Sequence, residues 1–334
     1  MNLKRMCARA KESNELIVLA SIVIVSLLIG IVNSTFFSFA SVVTLARSSL
    51  VTLMFALCEA LVMISGGIDV SFPAIATMSM YATTIAMKSL HIESMAVGFL
   101  IAAGIGLALG VVNGLLIGTF KIAPLIATLG MSSLINGTML ATLGSGQISL
   151  IPNCMEALYK TNLFVVTGRD GLSYPMNVLI LLPIACCVLF SLLLRFTMLG
   201  RSIYAIGGDR NSAECAGFHT VRIQYFVYMF VEMIAGVAGL SHAVLMRCAD
   251  ATTLMGSEMM VIAACVIGGV KISGGSGTVL GTVLGVVLLE LVSNNLITVG
   301  ISAYWQTFVV GMFIIVGTCV SFLREKRAAR TISR

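Results

Sequence analysis

The chain of 334 residues is 58% hydrophobic and only 10% charged, and its net charge is +6. Soluble domains are about 45–50% apolar and roughly 25% charged, so this composition excludes soluble enzymes, disordered chains and coiled coils. The apolar runs are long and unbroken, which excludes a transmembrane β-barrel, whose strands alternate in polarity over about ten residues. The composition therefore predicts an all-α, polytopic membrane protein.

A helix needs about 20 apolar residues to cross the roughly 30 Å core of a bilayer. By that length we predict about ten transmembrane helices in a single domain over residues 1–334. The predicted spans lie near 16–32, 42–64, 70–87, 96–118, 122–143, 177–196, 223–246, 256–270, 277–297 and 303–323. The span 256–270 is short, and 42–87 is either a pair of helices or one broken helix.

The first apolar run follows Lys4, Arg5, Arg9 and Lys11 and so resembles a signal peptide. Its apolar core is long for that role, and we expect an uncleaved first helix. With the N-terminus inside, the two termini and the even-numbered loops contain 15 of the 20 Lys and Arg residues. The positive-inside rule then predicts a multi-pass inner-membrane protein with both termini in the cytoplasm. The basic charge reflects membrane orientation, so we expect no nucleic-acid partner.

Four acidic residues lie within predicted spans or at their ends: Glu59, Asp69, Glu232 and Glu290. A charge at the bilayer centre costs about 2.5–3.5 kcal/mol on insertion scales, so such side chains usually face a cavity or a partner. No Lys or Arg lies at matching depth. A packed, protonated carboxyl and a functional carboxyl both fit Glu59 and Glu232. The acids also keep open an alternative function, a secondary transporter driven by a proton or sodium gradient.

A helix break is predicted at ISGGIDVS (64–71), where two Gly and an Asp interrupt an apolar stretch. The segment IGGVKIS (267–273) repeats its pattern, and aligning Gly66 with Gly268 gives an offset of 202 residues. Duplicated breaks in two halves of a transporter indicate a shared translocation site, although two ordinary Gly-rich turns also fit. We predict that Glu59, Asp69, Asn113 and Asn294 line the translocation path, because small polar groups at depth suit an uncharged hydrophilic solute.

Glycines recur every fourth residue at 106–118 and at 277–285. Such stripes permit close helix crossing, either for packing within one subunit or along a moving interface or pathway. Two long connections remain, an outer loop at 144–176, expected to be periplasmic and rich in turns, and a polar inner loop at 196–222. The chain has no phosphate-binding loop and no metal constellation among its three His, so we expect no catalytic residue, cofactor or metal site.

Four segments together resemble the membrane permease of bacterial ribose/xylose/arabinose-type ABC sugar importers. They are ISGGIDVS (64–71), LGRSIYAIGGDRNSAECAGF (199–218), VIGGVKISGGSGTVLGT (266–282) and NNLITVGISAYWQ (294–306). The resemblance covers nearly the whole chain, and 199–218 is its most specific part. It implies a ten-helix permease subunit without enzymatic activity. Its implied partners are a cytoplasmic ABC ATPase that binds ATP and Mg, a periplasmic solute-binding protein, and a second permease copy or paralogue.

In the family, the stretch that matches 199–218 contacts the ATPase. The residues carried over to that role are Gly200, Arg201, Tyr204, Ala205, Ile206, Gly207, Gly208, Asp209, Ala213 and Gly217. We expect Tyr204, Ala205 and Ile206 to form the docking face, with a left-handed Gly208 ending the helix. Ala213→Glu is expected to place a charge in that interface.

Three sites depart from the family pattern. They are Phe72-Pro73-Ala74 in place of Val-Gly-Ser, Asp209 in place of Asn, and Met259-Met260 where an acid is common. Family members carry pentoses, hexoses, sugar alcohols, nucleosides or a furanosyl signalling molecule, so the resemblance leaves the solute open.

Overall fold

The structure is a computed structural model that describes residues 14–33, 35–168 and 171–296, together with positions 305, 308, 311, 312 and 315. The described part is mainly helical. Its helices are α1 (Asn14–Val32), α2 (Phe39–Ile64), α3 (Phe72–Ser89), α4 (Met95–Gly114), α5 (Pro124–Thr142), α6 (Asn153–Lys160), α7 (Leu181–Phe196), α8 (Met198–Gly208), α9 (Arg210–Cys215), α10 (Thr220–Met246), α11 (Glu258–Ile267) and α12 (Val279–Leu296). A π-helical turn (Leu115–Thr119) extends α4, and a 3-10 turn (Val178–Ile180) precedes α7.

Seven of the described helices are long and apolar enough to cross a membrane. Two further helices match predicted spans less fully, since α3 has 18 residues but several Ser and Thr, and α11 has only ten residues. The tenth predicted span, 303–323, and the basic termini lie outside the described residues, apart from five helical positions between 305 and 315. A polytopic helical protein is therefore confirmed, while ten spans and the placement of the termini remain predictions.

Helix α2 lies at the centre of the bundle. Within its most apolar window 72% of the residues are buried, against 11% in α1, which exposes its apolar side chains as a helix facing lipid does. The other deeply buried long helix is α10, which packs along α4, α3 and α2. Both buried helices carry a buried acidic residue: Glu59 lies near the C-terminal end of α2, and Glu232 lies in the middle of α10.

The helix connections divide between two faces. On the first, which we call the basic face, residues 14–15, 64–67, 119–123, 197–219 and 268–278 lie together. Thr278 donates to the Glu15 carboxylate at 2.8 Å there, and the hydroxyls of Thr119 and Tyr225 are 3.0 Å apart. The described basic residues on this face are Lys121, Arg195, Arg201, Arg210, Arg222 and Lys271, which agrees with the predicted distribution of loops.

On the opposite face, the hairpin face, the described residues of 33–38, 90–94, 143–177 and 247–257 lie together. The loop 144–176, predicted to be rich in turns, contains helix α6 and an antiparallel hairpin of β1 (Asn162–Thr167) and β2 (Ser173–Asn177). The all-α prediction is thus corrected in this one segment. Residue Ile148 forms a bridge with Ala249, and the Arg247 guanidinium reaches the Glu156 carboxylate at 3.4 Å, so the loop is tied to the end of α10.

Candidate functional site

The break after α2 is a tight helix stop at the basic face. Gly66 adopts φ +89°, which glycine reaches without the steric cost of a Cβ. The Gly67 N–H donates to the Val62 carbonyl and the Gly66 N–H to the Met63 carbonyl, which is the Schellman pattern of a helix end. Helix α3 then begins around Pro73, a residue suited to the first helical turn.

The break after α11 repeats this geometry. Gly269 has φ +93°, the Val270 N–H donates to the Cys265 carbonyl, and the Gly269 N–H donates to the Val266 carbonyl. Because the hydrogen bonds match, the structural equivalent of Gly66 is Gly269 and not Gly268. The predicted offset of 202 residues is therefore wrong by one, and an offset of 203 pairs Asp69 with Ile272. Sequence letters alone misled here, because both breaks contain a Gly-Gly pair.

The first break lies in a buried group of polar side chains, which we call the acid cluster: Glu59, Asp69, Ser71, Asn113 and Glu232. All five side chains are 0% exposed. The Asp69 N–H points at both Glu59 carboxylate oxygens at 3.3 Å, and the Ser71 N–H and hydroxyl each donate to Asp69 Oδ1 at 2.7 Å. The cluster thus joins α2 to its own break.

Two further helices complete the acid cluster. Asn113 Nδ2 on α4 lies 2.9 Å from the Ser71 hydroxyl and 3.1 Å from Glu232 Oε1 on α10. The Ser71 hydroxyl lies 3.3 Å from the same Glu232 oxygen. The Asp69 and Glu232 carboxyl groups also lie within hydrogen-bonding reach of each other. Two further buried oxygens of this region, Asn113 Oδ1 and the Tyr228 hydroxyl, have no hydrogen-bond partner. Within the described ranges, no Lys, Arg or His forms an ion pair with the cluster.

This arrangement is a polar joint between the first break and helices α2, α4 and α10. No group of three or more His, Cys, Asp or Glu side chains placed to hold a metal ion occurs in the part of the chain that the structure describes. A buried polar group that loses its partner costs about 1–3 kcal/mol. Because several such groups meet at one break, a small displacement of residues 65–71 would disturb all of them together.

Glycine packing brings Asn113 to Glu232. A Cβ on Gly106 would collide with the Glu232 carbonyl oxygen, and one on Gly110 would lie 2.7 Å from the Tyr228 carbonyl oxygen. The stripe 106–118 therefore packs α4 directly on α10. A Cβ on Gly285 would likewise collide with the Ala264 carbonyl oxygen of α11, and one on Gly281 would collide with the Gly268 carbonyl oxygen just after that helix. Packing within one subunit is thus the interpretation confirmed for both stripes.

Of the four predicted path residues, the structure brings three together and separates the fourth. Glu59, Asp69 and Asn113 belong to the acid cluster. Asn294 lies near the hairpin face, where its Nδ2 is 2.6 Å from the Ser48 hydroxyl and 3.2 Å from Glu290 Oε2. Thr52, which donates to Glu290 at 2.7 Å, stands seven residues from Glu59 on α2, a rise of about 10 Å. The role of all four in transport remains a prediction.

The predicted path omits two members of the acid cluster, Ser71 and Glu232. The sequence marks Glu232 as an acid at depth but does not assign it to the path, and it does not single out Ser71 or the neighbouring Tyr228. The spacing of Asp69 and Ser71 offered a signal for Ser71, because a serine two residues after an aspartate can donate to it locally. No sequence signal places Glu232, since its position depends on how α10 packs against α4.

A cavity of about 430 Å³ opens near the hairpin face. Its described lining contains the hydroxyl or amide side chains of Asn33, Thr35, Ser38, Ser41, Thr44, Tyr174, Asn294 and Asn295. None of these lining residues is a Lys, Arg, Asp or Glu. A surface of neutral donors and acceptors can bind an uncharged, hydroxyl-rich molecule through hydrogen bonds.

The polar inner loop 196–222 folds into the two short helices α8 and α9. Thr197 caps α8, and Asp209 caps α9 by accepting from the Asn211 and Ser212 N–H groups. The hydrogen bond from the Ser212 hydroxyl, followed by that from the Asn211 N–H, holds the pKa of Asp209 below its usual range. An Asn side chain offers the same cap acceptor, which explains why Asp replaces it here.

The residues of the predicted docking face differ in burial, since Tyr204 and Ala205 are half-buried and Ile206 is buried; their contact with the ATPase remains a prediction. Ile206 and Ala213 are buried within this chain, and the Tyr204 hydroxyl donates to the Gly277 carbonyl at 2.7 Å. The exposed residues of α8 and α9 include Arg201, Gly208, Asp209, Asn211, Ser212 and Glu214. Because Ala213 is buried, Ala213→Glu would disturb the chain itself and does not test an interface.

The structure also gives the backbone conformation and packing of three other glycines in this loop. Helix α8 ends at Gly208 as predicted, but Gly208 is not among the glycines with positive φ. The left-handed glycine is Gly217, at φ +87°. Gly200 packs on the backbone of Leu193 and Leu194, where a Cβ would collide.

Comparison with known proteins finds one family whose model matches residues 41–317, described as branched-chain amino acid transport system / permease component. Among similar curated proteins is the autoinducer 2 import system permease protein LsrC of Yersinia enterocolitica, which is 31% identical over 86% of this chain and 77% of its own length. The LsrC proteins of Yersinia pseudotuberculosis and Yersinia pestis are 31% and 30% identical over 86% of this chain and 79% of their own lengths. No solved structure matches the chain.

Proposed function

We propose that this chain carries a small, uncharged, hydroxyl-rich solute of the autoinducer 2 type, as its relatives' names indicate. The chain belongs to the family described as branched-chain amino acid transport system / permease component. The chain is a multi-pass permease subunit of an ABC importer in the bacterial inner membrane. Permeases of this family work with a separate ATPase and a solute-binding protein. We further propose that two permease copies, or this chain and a paralogue, enclose the path.

The observation that carries the solute class is the neutral lining of the cavity near the hairpin face. An amino acid brings an ammonium and a carboxylate, and burying either without a charged or hydrogen-bonded partner is costly. A solute with several hydroxyls needs only donors and acceptors, which the Ser, Thr and Asn side chains supply. The cavity therefore favours the solute class in the relatives' names over the one in the family description.

The proposed transport path leads from this cavity past Asn294 towards the acid cluster. The ATPase contact is proposed on the exposed residues of α8 and α9, with Arg201 and Asp209 among them. Docking of the loaded binding protein on the hairpin face and closure of the ATPase on the basic face would switch access between the two sides. ATP and Mg are bound by the ATPase in this proposal, and the permease contributes no catalytic residue.

Uptake by the complete transporter tests the solute class. The permease, its cognate ATPase and its binding protein are reconstituted in proteoliposomes, and uptake of labelled autoinducer 2 is measured with and without excess ribose or leucine. We expect ATP-dependent uptake that leucine does not inhibit. Uptake of labelled leucine in place of autoinducer 2 would contradict the proposed solute class while leaving the permease assignment intact.

A paired variant tests the cavity. Ser41→Ala and Thr44→Val remove two lining hydroxyls together and are expected to raise the KM for uptake by about tenfold, since each hydrogen bond contributes roughly 0.5–1.5 kcal/mol. Ser21→Ala is the matched control, because the Ser21 hydroxyl bonds only within α1.

Proteoliposomes that hold the permease alone test the alternative function, a secondary transporter driven by a proton or sodium gradient. Counterflow without the ATPase and binding protein would support that alternative.

A further inference from the structure

The end of α8 touches both helix breaks through backbone alone. A Cβ on Gly207 would collide with the Ile64 carbonyl oxygen, which ends α2, and would lie 2.6 Å from the Gly275 nitrogen. A Cβ on Gly66 would lie 3.3 Å from Gly207 Cα. We call these four residues, with Gly274, the glycine junction: Ile64, Gly66, Gly207, Gly274 and Gly275.

Hydrogen bonds hold the glycine junction together. The Gly275 N–H donates to the Ile64 carbonyl at 2.9 Å, which joins the second break to the first. The Tyr204 hydroxyl donates to the Gly277 carbonyl at 2.7 Å, which joins α8 to the second break. Three segments far apart in sequence are therefore linked at one point on the basic face.

We propose that Gly207 and Tyr204 are positioning residues that transmit movement of α8 directly to the break that carries Asp69. This inference rests on the proposed contact between α8–α9 and the ATPase. Backbone packed on backbone contains no flexible side chain that can absorb a displacement, and close-packed interiors transmit strain. A shift of α8 therefore moves Ile64 and Gly66, and Asp69 follows only three residues later in the chain.

The acid cluster is the element that such a shift would switch. Its hydrogen bonds connect residues 69–71 to α2, α4 and α10, so the break cannot move without exchanging partners in all three helices. Closely packed helices and loops switch from one discrete arrangement to another and do not deform gradually. The glycine junction would thus couple the basic face to the polar joint through backbone contacts, with the Tyr204 hydroxyl holding α8 against the second break.

The decisive comparison is between two adjacent glycines. Gly207→Ala forces α8 away from Ile64, whereas Gly208→Ala enters open space and serves as the matched control. Each variant is made in an Ile68→Cys background and assembled with the cognate ATPase in nanodiscs. Two quantities are measured: co-purification of the ATPase, and the change that ATP causes in the thiol reactivity of Cys at position 68, read by mass spectrometry of that peptide.

We expect ATP to change the thiol reactivity by about fivefold in the parent and in Gly208→Ala, and by less than about twofold in Gly207→Ala, which still binds the ATPase. An equal response in both glycine variants would overturn the proposal, as would no response in a parent that binds the ATPase. Loss of ATPase binding in the parent would instead count against the proposed contact of α8–α9.

If Gly207→Ala does not accumulate in the membrane, a second pair of variants tests whether α8 is coupled to the breaks. Tyr204→Phe removes only the hydroxyl bonded to Gly277, and Tyr225→Phe removes a hydroxyl bonded to Thr119 on the same face. We expect Tyr204→Phe to reduce the ATP-dependent change by about threefold and Tyr225→Phe to leave it intact. Indistinguishable responses of the two variants would overturn the role of Tyr204.

Discussion

The two helix breaks share one backbone design but have opposite surroundings. Each ends a helix with a left-handed glycine and the same pair of backbone hydrogen bonds, 203 residues apart. Beyond the glycine, residues 69–71 enter the acid cluster and are buried, whereas Lys271, Ile272 and Ser273 are exposed on the basic face. Duplicated backbone geometry in a transporter therefore does not imply duplicated chemistry.

The difference assigns a separate task to each break. The first break contains buried Asp69, whose carboxyl group is hydrogen-bonded to Ser71 and to Glu232. The second lacks any acidic residue between 268 and 278, and its glycines approach the first break and α8 closely. Under the proposed coupling, the first break is the element that moves, and the second is the support against which it moves.

The largest effect is expected from Asp69, compared with its structural equivalent Ile272. Asp69→Ala leaves the Ser71 N–H and hydroxyl without their shared acceptor, and each buried donor left unpaired costs about 1–3 kcal/mol. We expect solute uptake to fall at least tenfold at equal membrane abundance, while Ile272→Ala stays within about twofold. Similar uptake by the two variants would mean that the breaks do not differ in function.

An intermediate effect on stability is expected at the two left-handed glycines. Gly66→Ala and Gly269→Ala each force a Cβ into a conformation that costs roughly 1–2 kcal/mol. Both should lower the apparent melting temperature of the purified protein by similar amounts, whereas Gly208→Ala, without positive φ, should not. Destabilisation at Gly66 alone would show that the second break does not share the geometry of the first.

The smallest effect is expected at Asp209, which belongs to neither break. Asp209→Ala removes the cap of α9 and should speed hydrogen exchange at the Asn211 and Ser212 amides, while Asp209→Asn retains a cap oxygen and should not. Because hydrogen bonds lower the pKa of Asp209, its stabilising effect is present above the usual aspartate pKa. It is lost as the pH falls through the lowered value. Unchanged exchange in the Ala variant would contradict the capping role.

Much of the fold was accessible from the sequence because hydrophobic length is a local property. Seven predicted spans coincide with helices long and apolar enough to cross a membrane, and the loops divide between two faces as the charge distribution indicated. The interruption at Gly66-Gly67 was also visible, because two glycines and an aspartate cannot continue an apolar helix cheaply. The hairpin in loop 144–176 was not, since its position depends on tertiary contacts such as that of Phe164 with Phe39 as well as on strand propensity.

By itself the sequence determined the class of protein, its helices, the presence of two breaks and the acids buried at depth, because composition and periodicity reflect the solvent around each segment. Only the tertiary structure decided which polar residues meet. It placed Glu232 beside Asn113 through the glycine contacts of α4, set Asn294 apart with Glu290, turned Ile206 and Ala213 inward, and aligned Gly66 with Gly269. Each outcome depends on how helices pack across long sequence separations, and no local pattern of residue types records that packing.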